Sequence, residues 1–153
     1  EEMSEIAISA ARVVRLFGFD PKVAFVSHST FGQPVTSRTK HIRKAVDILR
    51  EKNVDFEFDG DMQPDVALNY EYKNLYPFSK IVGNANILIM PGQHSAAISY
   101  KMMKTLGDTK VIGPLLVGLG LPIEIAPLRT STSELINLAS IAAYSADKID
   151  YSK

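Results

Sequence analysis

The chain has 153 residues, 46% of them hydrophobic and 22% charged, with 17 basic and 17 acidic side chains and no cysteine. That is enough apolar chain for one ordinary core and one domain. The zero net charge argues against nucleic acid or an anionic membrane as the main partner. Without cysteine there can be no disulfide, thiolate zinc site or thiol nucleophile, which fits a reducing, cytoplasmic setting. The longest apolar run, Val111 to Leu121, is broken by Gly113, Pro114, Gly118 and Gly120. It falls short of the ~20 residues a membrane span needs.

The first segment, EEMSEIAISAARVV, is acidic and amphipathic, unlike a signal peptide, and position 1 is not Met. The expectation is a piece cut from a longer chain. Ile6, Ala10, Val13, Val14 and Phe17 recur at helical spacing, and Gly18 stops the run. KVAFVS (22–27) reads as a buried strand, followed by the loop HSTFGQPVTS. A helix is expected over about 37–52, with Ile42, Val46 and Leu49 on one face. VDFEFDG alternates apolar and acidic residues as a half-exposed strand would. From Pro64 the pattern turns helical until Pro77. ANILIMP is a buried strand and HSAAISYKMMKTLG a helix. VIGPLLVGL and PIEIAP are short strands, and the last helix is expected from Ser131 to Tyr144. The remaining YSADKIDYSK has the composition of a frayed, solvated tail. Strand and helix alternate throughout, so the fold class is α/β: a three-layer α/β/α arrangement with a largely parallel sheet.

The acids Asp55, Glu57, Asp59, Asp61 and Asp65 cluster around Gly60 but lack the spacing of a calcium loop. They read as a solvated strand face and turn, and no metal is expected. His41 lies on the charged side of a helix and should face solvent. His28 and His94 each closely follow a strand, where open α/β sheets place their binding crevice. Lining a site and a satisfied structural role remain equal readings for both. Ser27, Ser29 and Thr30 could bond a phosphate or carbonyl, or cap and turn the chain locally. No glycine pattern matches a nucleoside triphosphate or dinucleotide loop. APLRTSTSEL, 126–135, joins a strand end to a helix start, where free N–H groups and the helix dipole favour an anion.

VAFVSHST, FDGDMQPDVALN, GNANILIMPGQHSAAISYKMM and IGPLLVGLGLPIEIAPL resemble, in that order, the C-terminal half of phosphotransacetylases. MPGQHSAAIS points to the branch fused to the C-terminus of NADP-dependent malic enzymes. The resemblance runs from about residue 5 to 144 and implies half of a module with isocitrate/isopropylmalate dehydrogenase-like architecture. Active members of the family exchange acetyl between phosphate and coenzyme A, and carry S-R-G-x-x-x-D-D where this chain has PLRTSTSE. Aligned without gaps, Pro127 replaces the reactive-site serine and Leu128 the anion-binding arginine. Glu134 stands where the resemblance places the base. A one-residue slip puts Arg129 at the arginine, and the serine is missing in either register. Thiolysis needs a base and cationic donors around the developing charge. The expectation is therefore a loop that binds without catalysing, with no catalytic residue in this chain.

The resemblance implies a regulatory and oligomerising module that senses acetyl-CoA or CoA. Its binding residues would be Ser29, Thr30, Arg38, Arg129, Thr130 and Ser131, and its partner a second copy of itself. A malic enzyme domain in the N-terminal part of the longer protein would carry NADP and a divalent metal. The alternatives are an active phosphate acetyltransferase fragment and a purely structural dimerisation domain.

Overall fold

The β-branched and aromatic run of β1 (Lys22–Val26) needs cover on both faces of a sheet. In the computed structural model Val23, Ala24, Phe25 and Val26 are all buried. The structure describes residues 1–108, 110–119 and 121–148, with Lys73 as backbone only. Two units divide the chain, Glu1–Ser99 and Tyr100–Lys153. In the first, β1 lies between β2 (Glu57–Met62) and β3 (Ile87–Ile89) in a three-stranded parallel sheet ordered β2-β1-β3. Parallel neighbours require crossovers, and the intervening helices supply them. The α/β class expected from the alternation of elements is the class observed.

On one face of that sheet, Val23, Phe25, Ile87 and Ile89 pack with α1 (Glu2–Leu16) and α2 (Ser37–Glu51). α2 presents Ile42, Val46 and Leu49 to this core, as its periodicity predicts. Its start is fixed by a capping box: Thr36 Oγ1 accepts from Thr39 N at 3.2 Å, and Thr39 Oγ1 accepts from Thr36 N at 2.8 Å. α1 differs from its sequence reading, because its buried stripe is Ser4, Ala7 and Ala11 while Ile6 is exposed. Small side chains let α1 approach closely where a bulky one would hold it off. On the other face Ala24, Val26 and Met62 pack with Val66, Ala67, Ile81 and Ala85. Each large side chain fully buried in these clusters contributes about 1.5–3 kcal/mol.

β2 corrects the reading of the acidic cluster. The strand starts three residues and ends two residues later than its alternation suggests, and Asp59 and Asp61 are buried within it. A bulge between Phe25 and Val26 leaves Asp61 unpaired, since Phe25 faces Gly60 and Val26 faces Met62. The carboxylates stay inside because they are answered. Asp59 accepts from Lys80 N at 2.7 Å and Gly60 N at 2.9 Å, with Arg50 at 3.7 Å. Asp61 accepts from Ser29 Oγ, Gly32 N at 3.3 Å and Arg43 Nε at 3.0 Å. Burial pushes the Asp61 carboxyl up, but these hydrogen bonds outweigh it and hold the group below the usual carboxylate range. Asp55 and Asp65 do face solvent.

The single helix expected from Pro64 is two short ones, α3 (Pro64–Leu68) and α4 (Tyr70–Lys73). Asn69 divides them: its backbone is extended and its side chain accepts from Glu71 N at 3.0 Å, capping α4.

α5 (Gln93–Leu106) begins in the first unit and ends in the second, which also contains α6 (Thr132–Lys148). The two strands expected over 111–127 are, among the described residues, one antiparallel bridge between Leu115 and Glu124. Pro114 and Pro122 cannot donate to a ladder, and Gly113 and Gly118 sit at positive φ, so pairing cannot propagate. α6 continues four residues past its expected end, into the segment read as a frayed tail; residues 149–153 of that segment lie outside the described residues. No residue of α5 is buried, and Leu138 and Ser145 are the buried residues of α6. Among the described residues no helix is long and apolar enough to cross a membrane.

Candidate functional site

In the second unit, the loop 126–131 and the start of α6 border a cavity of about 110 Å³. Arg129, Thr130, Glu134, Asn137 and Lys104 contribute its polar side chains. The loop begins with a turn in which both the N–H and the hydroxyl of Thr130 donate to Pro127 O. Ser131 and Glu134 then form a reciprocal pair. Ser131 N donates to Glu134 Oε2 at 2.8 Å, and Glu134 N donates to Ser131 Oγ at 3.3 Å. This S-x-x-E arrangement satisfies two first-turn donors of α6. Ser131 Oγ also donates to Glu134 Oε2 at 2.8 Å, and Lys104 Nζ pairs with Oε1 at 3.1 Å.

Those contacts decide what Glu134 can do. Hydrogen bonds from the Ser131 backbone and hydroxyl, then from Lys104, lower its carboxyl from 4.5 to about 2. A carboxylate so stabilised has little tendency to accept a proton from a thiol of pKa about 8.5. The same contacts make the N-terminus of α6 acid-sensitive. A depressed carboxyl stabilises the fold above its unfolded pKa and loses that contribution as pH falls through its folded one. The Ser131–Glu134 pair is therefore intact above about pH 4.5 and lost toward pH 2. Ser131→Ala should cost about 1 kcal/mol at neutral pH and move the Glu134 titration upward. A carboxyl-detected NMR titration checks this, and an unmoved Glu134 would remove Ser131 as the cause.

The expected binding residues fall in two groups. Arg129 and Thr130 line this cavity and Ser131 follows them in the loop, whereas Ser29, Thr30 and Arg38 belong to the first unit. Thr130 and Ser131 have their hydroxyls engaged in the turn and the cap. Arg129 is exposed at the cavity and has no hydrogen-bond or ion-pair partner among the described residues. Ser29 is buried with its hydroxyl on Asp61, and Thr30 Oγ1 accepts from Gln63 N at 3.2 Å. These two hydroxyls build the loop after β1. Arg38, on the first turn of α2, lines a second cavity of about 660 Å³ together with His28, His41 and His94. Lys104 and Asn137 had no mark in the sequence as site residues, since only the fold brings them beside the loop.

The sequence profile of the phosphate acetyl/butaryl transferase family matches residues 1–143. The chain belongs to that family. An NADP-dependent malic enzyme of Rhizobium meliloti (strain 1021) is 49% identical over 146 residues, covering 95% of this chain and 19% of that protein. A probable NADP-dependent malic enzyme of Rickettsia prowazekii (strain Madrid E) is 37% identical over 157 residues, covering 96% and 20%. Among solved structures, a phosphotransacetylase from Streptococcus pyogenes superposes with a TM-score of 0.90 at 34% identity, covering 97% of this chain and 45% of that one. The chain thus spans about a fifth of these malic enzymes and under half of that phosphotransacetylase. What it shares with the malic enzymes is their phosphotransacetylase-like part.

Proposed function

We propose that this chain is the phosphotransacetylase-like module of a cytoplasmic NADP-dependent malic enzyme, binding acetyl-CoA or CoA as an effector without transferring acetyl groups. The observation that carries this is Glu134. Its carboxylate is committed to hydrogen bonds from Ser131 and Lys104, which favour its charged form and oppose its taking a proton from a thiol. Pro127 and Leu128 add no hydroxyl and no charge at the reactive positions of the family loop, and Leu128 is fully exposed. A donor-bearing cavity that lacks the family's reactive serine and whose carboxylate is already engaged is suited to recognising a ligand without transferring its acetyl group.

Arg129 supplies the charge for a phosphate or thioester oxygen, and Asn137 a neutral amide beside it. About 110 Å³ holds a small polar group, so the rest of a coenzyme would lie outside the cavity. NADP and a divalent metal would serve malate decarboxylation in the malic enzyme part. Among the described residues, no group of three or more His, Asp or Glu side chains is placed to hold a metal.

Self-association belongs to the same reading. Met102, Met103 and Leu106 of α5 and Leu135 and Ile136 of α6 are exposed, and exposed apolar surface of this kind favours burial against a partner. A homodimer is the expected assembly, and a monomer mass by light scattering at tens of micromolar would count against it.

The deciding experiment uses the longer protein. Calorimetric titration with acetyl-CoA should give saturable binding, while a coupled assay with acetyl phosphate and CoA should stay far below the ~10 per second of a typical enzyme. Turnover near that rate would establish the transferase reading instead. Absence of acetyl-CoA binding would leave only a structural role.

A further inference from the structure

A groove of about 340 Å³ in the first unit is lined by the middle of α2, by β2 and by the segment after α4. Arg43, Asp47 and Arg50 come from successive turns of α2, and Asp59 and Gly60 from β2. Phe78 and Lys80 follow Pro77, and Phe31 enters from the loop after β1. The volume lies at the lower end of the range for small-molecule sites.

The groove's charged groups are unequally engaged. Asp47 Oδ1 accepts from Arg50 Nη1 at 2.8 Å, and Asp59 accepts from Gly60 N and Lys80 N, with Arg50 Nη2 at 3.7 Å. Arg50 is thus held between two acids. Arg43 gives only its Nε, to the buried Asp61, and both Nη groups have no hydrogen-bond partner among the described residues. Lys80 Nζ has no hydrogen-bond or ion-pair partner there either. The cations with donors to spare are therefore Arg43 and Lys80. Three cations line the groove with two carboxylates, and Asp61 stands behind Arg43. That balance admits one negative charge and disfavours a doubly charged ion.

The backbone is shaped to the same end. Gly32 has φ +83°, and a Cβ there would meet Arg43 Nη2 at 1.9 Å, so the glycine lets the guanidinium lie against the loop. Phe31 has φ +48°, a costly conformation for a bulky residue. In it the Phe31 ring meets the Phe78 ring edge-on at 4.8 Å and lies 5.5 Å from that of Tyr76. Strain of this kind persists only where the surroundings impose it, and it gathers at ligand sites. Phe78 is exposed, so part of its ring is uncovered beside the free guanidinium edge.

We infer that this groove binds a monocarboxylate with an apolar body: the carboxylate on the Nη groups of Arg43, Lys80 as second cation, and the body against Phe78. A guanidinium fork matches both oxygens of a carboxylate, and a few polar groups beside apolar side chains give such a ligand its orientation. The groove lies wholly in the first unit, and the inference does not rest on the acetyl-CoA reading.

Phenylacetate is the probe. Saturation-transfer NMR on the longer protein should show a saturable response, strongest at the ring protons. Acetate should displace it poorly, because it lacks the body that Phe78 covers. Inorganic phosphate at equal ionic strength should do no better than acetate. Arg43→Lys keeps the charge and loses the fork, and should weaken binding about 10-fold or more. Lys80→Ala should weaken it about 2-fold to 5-fold, and Phe78→Ala about 2-fold to 10-fold. These last two side chains are exposed and the Lys80 N–H stays on Asp59, so neither change threatens the fold. No saturable response, or one unchanged in both Lys80→Ala and Phe78→Ala, overturns the site. Phosphate displacing phenylacetate more strongly than acetate does would overturn the monocarboxylate assignment.

Discussion

Gly60→Ala is expected to destabilise the first unit by about 2–6 kcal/mol, combining backbone strain and overpacking. Gly60 has φ +148°, a conformation that side chains disfavour strongly. A Cβ there would meet Phe25 O at 2.6 Å and Phe25 Cβ at 2.8 Å. Neither atom can yield easily. The carbonyl belongs to the central strand, and Phe25 is fully buried between two helices and the sheet. The consequence would reach Asp61, the next residue, because its contacts to Ser29, Gly32 and Arg43 depend on how β2 meets β1 at the bulge. Urea unfolding of the two proteins measures the difference. A loss under about 1 kcal/mol would mean that the strands separate at the bulge more readily than their packing implies. Gly32→Ala provides a contrast. A Cβ at Gly32 would meet the end of the Arg43 side chain, which can move, although φ +83° still disfavours the substitution.

The same residues mark where sequence reading succeeds and where it stops. Ile42, Val46 and Leu49 announce their helix and its buried face because period and burial agree there. Asp59 and Asp61 carry the opposite message locally, since alternating acids look like a wet strand face. Their partners lie far along the chain, Ser29 at 32 residues from Asp61 and Lys80 at 21 from Asp59, so nothing nearby signals that the charges are answered. In the 126–135 loop the helix start was legible, but Ser131 and Glu134, expected at a ligand and at the base position, are instead paired as the cap of α6. Lys104 reaches the same carboxylate from 30 residues away, and that contact belongs to the fold alone. The histidines show the same limit. His28 and His94 each follow a strand and so were expected at the sheet's binding edge, but only the fold brings His41 of α2 to the same cavity.

Arg129→Ala in the longer protein is expected to weaken acetyl-CoA binding by about 1.5–3 kcal/mol, or ~10-fold to 150-fold. The size follows from the position of the guanidinium. It stands at the cavity with no ion-pair partner among the described residues, so no internal contact has to be broken before it meets an anion. A surface arginine already paired would be worth under about 1 kcal/mol. The neighbouring Glu134 would repel a phosphate if it stood alone, but Lys104 at 3.1 Å offsets its charge, and the Ser131 N–H and hydroxyl hold it within the cap. Lys104 therefore acts indirectly, and Lys104→Ala should weaken binding less than Arg129→Ala while raising the Glu134 titration. Calorimetry on the three proteins separates the readings. An unchanged affinity for Arg129→Ala removes that residue from the site. Equal losses in both variants would mean that the net charge around the cavity, and not a directed contact from Arg129, holds the ligand.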